Sequence, residues 1–229
     1  MKGYIPFVYQ GRRIGWLRPS FAARLETWPG VFKKVKAEIH LAAADELHNV
    51  LSALQKQGLI PGWRNERYRV EDLFDIERAA ARPFGLTTYA VHVNGLAKNR
   101  MWIARRSATK PIDPGMLDNL VGGGMTAGLT QDEVLVKEAW EEAGIPAELA
   151  RTATRGGMVK ILREVPEGVQ SEVIYTYDLA LPEGFQPRNQ DGEVAEFRLM
   201  EIDEVLASKE LTYDAMLVVR DYCSRISRL

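Results

Sequence analysis

The chain has 229 residues, 46% of them hydrophobic, and 30 Lys plus Arg against 31 Asp plus Glu give a formal net charge of −1. That balance excludes a basic field for nucleic acid or an anionic membrane surface, and no stretch approaches the roughly 20 apolar residues of a membrane span. Cys223 is the only cysteine, and His40, His48 and His92 have no ligand spacing. An internal disulfide and a Cys-based zinc cluster are therefore excluded, and with no signal-peptide core in the opening segment the expected setting is cytoplasmic.

Taken in chain order, the punctuation divides the sequence into two parts near Pro83 to Gly85. YIPFVYQGRRIGWL predicts two short strands around a Gln-Gly turn, and FKKVKAEIHL alternates as one strand. A helix follows over 43–57, where Leu47, Val50, Leu51 and Leu54 recur at helical spacing and Gly58 stands at the cap. RYRVEDLFDIERAAARPFG adds a strand and a linking stretch. From Gly85 onward the strands LTTYAVHV, MWIARRS and LDNLVG precede a polar helix, and GMVKILREV, SEVIYTYDLAL and EVAEFRLM follow it. Two helices, over 201–208 and 212–225, close the chain, with Met216, Val219 and Tyr222 as an apolar stripe on the second. This order predicts an α/β (α+β) architecture: a mixed sheet with packed helices over residues 86–229, preceded by a small α+β domain over residues 1–85.

The polar helix is defined at both ends. Thr130 and Glu133 form a T-x-x-E capping box, and Gly144 with Pro146 makes a stop, so the helix spans 131–143. Val136, Ala139, Trp140 and Ala143 fall on one side, the one expected to be buried, and Glu138, Glu141 and Glu142 on the other. Val134 shares the azimuth of Glu138, so the glutamate face is expected to meet protein at its N-terminal end. Like charges at this spacing cost a helix about 0.2–0.5 kcal/mol per pair, so positive charge from outside must compensate. Just upstream, Gly122, Gly123 and Gly124 remove side chains where backbone can approach a ligand. Glycine loop and glutamates together suit a hard divalent cation, Mg2+ with Mn2+ as a substitute, that shares phosphate oxygens with a small-molecule substrate. The bland alternative is a solvated acidic face.

The segment GGMTAGLTQDEVLVKEAWEEAGI, Gly123 to Ile145, resembles the Nudix box, G-x5-E-x7-R-E-U-x-E-E-x-G-U with U apolar. Gly123, Glu138, Glu141, Glu142, Gly144 and Ile145 match, whereas Leu129 stands in place of the first Glu and Lys137 in place of the Arg. With WIARRSATKPIDPGMLDNLVGGG and DGEVAEF, the chain resembles the branch of Nudix hydrolases also found fused to thiamine pyrophosphokinase, in which both departures are ordinary. The resemblance implies a Nudix-type α/β/α sandwich and an enzyme that hydrolyses a diphosphate bond. The implied substrate is thiamine diphosphate or its damaged oxo and oxy analogues, converted to the monophosphate. It further implies that Glu138, Glu141, Glu142 and the carbonyl near Gly122 hold the metal. Glu193 is the first candidate to activate water, with Glu141 or Glu142 as the alternative. Arg105, Arg106 and Lys110 are candidates for phosphate contact, although Arg105 and Arg106 point to opposite faces of a strand and one at most reaches the site directly. Trp16, Trp28, Trp63 and Tyr4 are possible walls for a ring.

Two rivals stay open. A Nudix pyrophosphatase for ADP-ribose, nucleotide sugars or dinucleotides would keep the same metal glutamates and change only the pocket. A non-catalytic, ligand-sensing Nudix module would dispense with them. Isomerase chemistry on this scaffold would need a cysteine at the site, and Cys223 is poorly placed. A homodimer is a further expectation.

Overall fold

Gln10 and Gly11 both adopt positive φ, +49° and +74°, the two-residue geometry whose twist suits a hairpin. They join β1 (Ile5–Tyr9) to β2 (Arg12–Leu17) in the computed structural model, which describes residues 1–227. The chain divides into two units, of which the first holds residues 1–88, 126–128 and 161–172. After α1 (Pro19–Leu25), a helix not expected from the sequence, the segment expected to be one strand is a hairpin of β3 (Phe32–Val35) and β4 (Glu38–Leu41). Lys36 turns it with φ of +55°, and neither Lys36 nor Ala37 is a residue that marks turns. The sheet order is β2-β1-β4-β3, with β1 parallel to β4. α2 (Leu47–Lys56) buries the expected stripe of Leu47, Val50, Leu51 and Leu54. The expected strand and link form a third hairpin, β5 (Arg67–Val70) and β6 (Phe74–Glu77), followed by the short α3 (Ala81–Phe84). The core gathers on Phe84, whose ring lies 5.1 Å from that of Phe21, 5.2 Å from Phe7 and 6.1 Å from Phe32.

The second unit holds residues 89–125, 129–160 and the chain from 173. The elements lying wholly or partly in it are β7 (Thr87–Ala97), β8 (Arg100–Arg106), β9 (Leu117–Asn119), β10 (Val121–Gly124), α4 (Gln131–Ala143), α5 (Ala147–Ala150), β11 (Thr154–Val165), β12 (Gly168–Ala180), β13 (Val194–Glu201), α6 (Ile202–Ala207) and α7 (Tyr213–Ile226). The sheet runs β11-β12-β7-β8-β13, with β10 paired to β7 and β9 to β8. Alternation along the strands separates two cores. On one face Val91, Val93, Trp102 and Val121 pack with Val134, Leu135 and Ala139 of α4. On the other, Met101, Ile103 and Leu117 pack with Val205 of α6 and Ala215 and Val219 of α7. Helices thus cover both faces of the sheet. Among the described residues no helix is long and apolar enough to cross a membrane.

Phe84 is fully buried with aromatic neighbours on several sides, so truncation leaves a void that backbone shifts cannot fill. Phe84→Ala is expected to lower stability by about 3–5 kcal/mol in urea denaturation; a loss below about 1 kcal/mol would contradict this packing.

Candidate active site

The phase of α4 is set at its ends. Thr130 Oγ1 accepts from the N–H of Glu133, Glu133 Oε2 accepts from the N–H of Thr130, and Gly144 terminates the helix with φ of +64°. Its buried residues are Val134, Leu135, Ala139, Glu142 and Ala143, whereas Trp140 is 52% exposed. The expected burial side is therefore corrected by about a quarter turn. Trp140 lies in solvent, and the glutamate face turns toward the protein. What admits it is β10, whose glycines leave room that any side chain would occupy. A Cβ on Gly123 would sit 2.2 Å from Cγ and 2.3 Å from Cδ of Glu138.

Glu142 is only 5% exposed. Its Oε2 accepts from the N–H of Gly122 at 2.8 Å, and its Oε1 lies 3.7 Å from Lys110 Nζ. Burial dominates its titration and pushes its pKa up to about 7, against the opposing pull of Lys110 and the Gly122 N–H and with the added push of Glu138 and Asp118. For the other two the compensating charge comes from the helix itself and not from outside it: Lys137 Nζ lies 2.9 Å from Glu138 Oε1 and 2.6 Å from Glu141 Oε2. Burial works against the Lys137 charge, but the bonds to Glu141 and Glu138 outweigh it and raise its pKa above the ordinary lysine value.

Glu193 comes to the same place from 51 positions beyond Glu142 in the sequence. The loop before it is tied to the end of α4, through Arg188 N–H to the Ala143 carbonyl at 2.9 Å and Gln190 N–H to the Glu141 carbonyl at 2.8 Å. Asp191 and the carbonyl-to-Ser107 bond then fix the Glu193 backbone, and its carboxylate pairs with Lys110. Lys110 thereby joins Glu142 to Glu193.

The two arginines are engaged elsewhere. Arg105 donates to Glu196 at 2.7 Å, Glu210 at 2.8 Å and the Gly115 carbonyl at 2.6 Å. Arg106 donates to Asp118 at 2.8 Å and to the Ile112 carbonyl at 2.9 and 3.2 Å. Arg105 thus ties strand and loop together, while Arg106 neutralises a carboxylate that bears on Glu142. Asp118, Asn119 and His92 were not singled out as site residues by the sequence. The His92 ring underlies Gly122, 3.1–3.4 Å from where a Cβ would stand, and its Nδ1 is 2.8 Å from Asn119 Oδ1. The only sequence signal was polarity inside a strand, which an ordinary edge strand also has.

Among the described residues no three His, Cys, Asp or Glu side chains converge on a single point as they stand. Glu138 and Glu141 are drawn to Lys137, and Glu142 to Gly122 and Lys110. The donor set nonetheless fits a hard divalent cation. It consists of carboxylate oxygens beside a strand without side chains, held by an ammonium group that is 42% exposed and can swing into solvent.

Residues 1–88 match the family described as "Domain of unknown function (DUF4743)", and residues 86–220 match the "NUDIX domain". "Nudix hydrolase 24, chloroplastic" from Arabidopsis thaliana is 38% identical over 222 residues, covering 88% of this chain and 61% of that protein. "Nudix hydrolase 20, chloroplastic" from the same plant is 34% identical over 253 residues, covering 97% of this chain and 68% of that protein. The chain thus spans 61–68% of the length of these two relatives. The crystal structure of DR0079 from Deinococcus radiodurans superposes with a TM-score of 0.51 at 20% identity, covering 68% of this chain and 96% of that one, a likeness of fold alone. With the domain match spanning more than half of the residues and the box glutamates seated against their glycine strand, the chain belongs to the Nudix family.

Proposed function

We propose that this chain hydrolyses a diphosphate bond in a small molecule, water adding across the P–O–P linkage to leave a monophosphate and phosphate. The observation that carries the reading is the glutamate face of α4 set on the glycines of β10, with Glu193 brought alongside through Lys110. Thiamine diphosphate and its oxo and oxy analogues are the substrate class, supported by the sequence resemblance of the box and its Leu129 and Lys137 departures. The cytoplasm is its setting, on the strength of the single cysteine, although both plant relatives carry "chloroplastic" in their names.

Mg2+ or Mn2+ held by Glu138, Glu141, Glu142 and the Gly122 carbonyl would supply charge neutralisation on the diphosphate and a more acidic water. The chain's residues divide the remaining work. Glu142, buried and anchored by the Gly122 N–H, holds a fixed position. Glu193, with 38% of its side chain exposed, is the carboxylate that water can reach, and it takes the proton. Lys110, 11% exposed and bridging both, positions them and contacts phosphate only if it exchanges one carboxylate for another anion. Arg105 and Arg106 stabilise the surrounding strands.

Mg2+-dependent phosphate release from thiamine diphosphate, its oxo and oxy analogues, ADP-ribose and nucleoside diphosphate sugars tests the substrate. Faster turnover of ADP-ribose would remove the thiamine assignment, and tight binding without any release would favour a sensor. Glu142→Gln should lower kcat by more than about 100-fold; near wild-type turnover sinks the metal site.

Gly123→Ala forces Glu138 aside, so Mg2+ binding followed by calorimetry should weaken by about tenfold or more. Unchanged affinity would mean that the close approach of Glu138 to β10 has no part in the site.

The Glu142 pKa also predicts a pH dependence in metal-free protein. Because it is raised from 4.5 to about 7 on folding, the folded state binds the extra proton between those values. The associated stability is complete below pH 4.5 and is lost as pH rises through about 7, an upper bound of about 3 kcal/mol. Urea titrations in EDTA should show that decline in the wild type and a smaller one in Glu142→Gln. Parallel declines would contradict it.

A further inference from the structure

The first unit holds a cavity of about 400 Å3 between α2 and the β5–β6 hairpin, within the size range of small-molecule sites. Ala44, Leu47, Leu51, Phe74 and Ile76 supply the apolar part of its otherwise polar lining. Glu77 also lines it and is 4% exposed. One oxygen of that carboxylate, Oε1, accepts from the N–H groups of Arg64 at 3.0 Å and Ala79 at 3.3 Å. The other makes no hydrogen bond or ion pair among the described residues. Since none of the fully buried side-chain polar atoms lacks a partner, that oxygen must open onto the cavity.

Opposite Glu77 in the antiparallel register stands Arg67. Arg67 also lines the cavity, and its side chain has no hydrogen-bond or ion-pair partner among the described residues. A buried carboxylate oxygen without a donor is a costly feature for a surface with no ligand, because it forgoes the bond that would compensate its desolvation, whereas the facing Arg67 is exposed and its charge stays hydrated. At the rim, the His48 ring lies 6.0 Å from that of Trp63, and Asp45 adds negative charge. Asp75 is already neutralised by Arg69 at 2.8 Å.

The geometry points to a binding site in this unit for an amino-substituted nitrogen heterocycle. An exocyclic N–H of such a ligand donates to Glu77, and the neighbouring ring nitrogen accepts from Arg67. The flat ring lies against Phe74, a lining residue that is only partly buried, and a positive charge elsewhere on the ligand is favoured by Asp45. Aminopyrimidines and adenines share this donor–acceptor edge. The site is separate from the glutamates of the second unit and does not depend on their hydrolysing anything.

Calorimetry on the full chain in EDTA, with ligands that carry no phosphate, tests it. Thiamine and adenosine are the probes for the two sources of the edge, and benzyl alcohol is the probe for apolar filling alone. Saturable binding of thiamine, adenosine or both at concentrations up to about 1 mM is expected, with thiamine the tighter because it is cationic. Arg67→Ala, and separately Ala44→Leu, which fills the cavity mouth, should each weaken that binding by about tenfold or more. Glu142→Gln should leave it unchanged. Thermal melts confirm that each variant is folded, and Arg67, being exposed, keeps the test open if Ala44→Leu does not fold. No binding of either heterocycle, equal binding of benzyl alcohol, or binding lost in Glu142→Gln but retained in Arg67→Ala would each overturn the assignment.

Discussion

The seating of the α4 glutamates on a strand without side chains is the constraint on which the second unit depends. Three carboxylates on one helical face repel one another and would ordinarily seek water. Here Glu142 is buried instead, held by the Gly122 N–H, and Glu138 occupies the very volume that a Cβ on Gly123 would need. Only glycine permits that approach. Two lysines then supply the opposite charge, Lys137 to Glu138 and Glu141 and Lys110 to Glu142 and Glu193. The balance is incomplete, since burial still holds the Glu142 pKa near 7.

That arrangement rests on a polar layer beneath it. His92, under Gly122, bonds Asn119, whose Nδ2 donates to Asn94 at 3.1 Å. Asn94 in turn donates to Asp178 at 2.9 Å, and Asp178 pairs with Arg225 of α7. Arg225 also binds Asp221, which accepts from Thr176. A half-satisfied network inside a sheet would cost more than an apolar core, but a closed one fixes a unique arrangement. The strand that pairs with the glycines, β7, is thereby tied through side chains to a helix on the far face of the sheet.

How much of this could be read beforehand follows from the range of each signal. The bounds of α4 were legible because the capping box and the terminal glycine are local, and Thr130, Glu133 and Gly144 act as their types suggest. Its buried face was misread because Trp140 and Val136 outweigh Glu142 on any scale of hydrophobicity, and only the glycines of a different element make burying Glu142 possible. Glu193 is a candidate named through resemblance, whereas the bonds that set its position, from Arg188 and Gln190 to the end of α4, join loop backbone and have no sequence signature. The hairpin at Lys36 and the helix at Pro19 were missed for a related reason. Neither the Lys-Ala turn nor a seven-residue helix carries enough periodicity to compete with the strand pattern around it.

Arg105 and Arg106 show how residue type and partners are separate signals. Two guanidiniums beside a glycine loop invite a phosphate, yet each is surrounded by carboxylate and carbonyl oxygens of its own unit, and Arg105 meets two glutamates at once. An arginine with such partners must give up formed bonds to take a phosphate, so its gain on binding is the difference between two similar interactions. Lys110 differs because its partners are members of the site itself. Displacing its ammonium from Glu142 or Glu193 changes the charge at both carboxylates together. Positive charge in this fold therefore acts mainly by holding acidic groups in place.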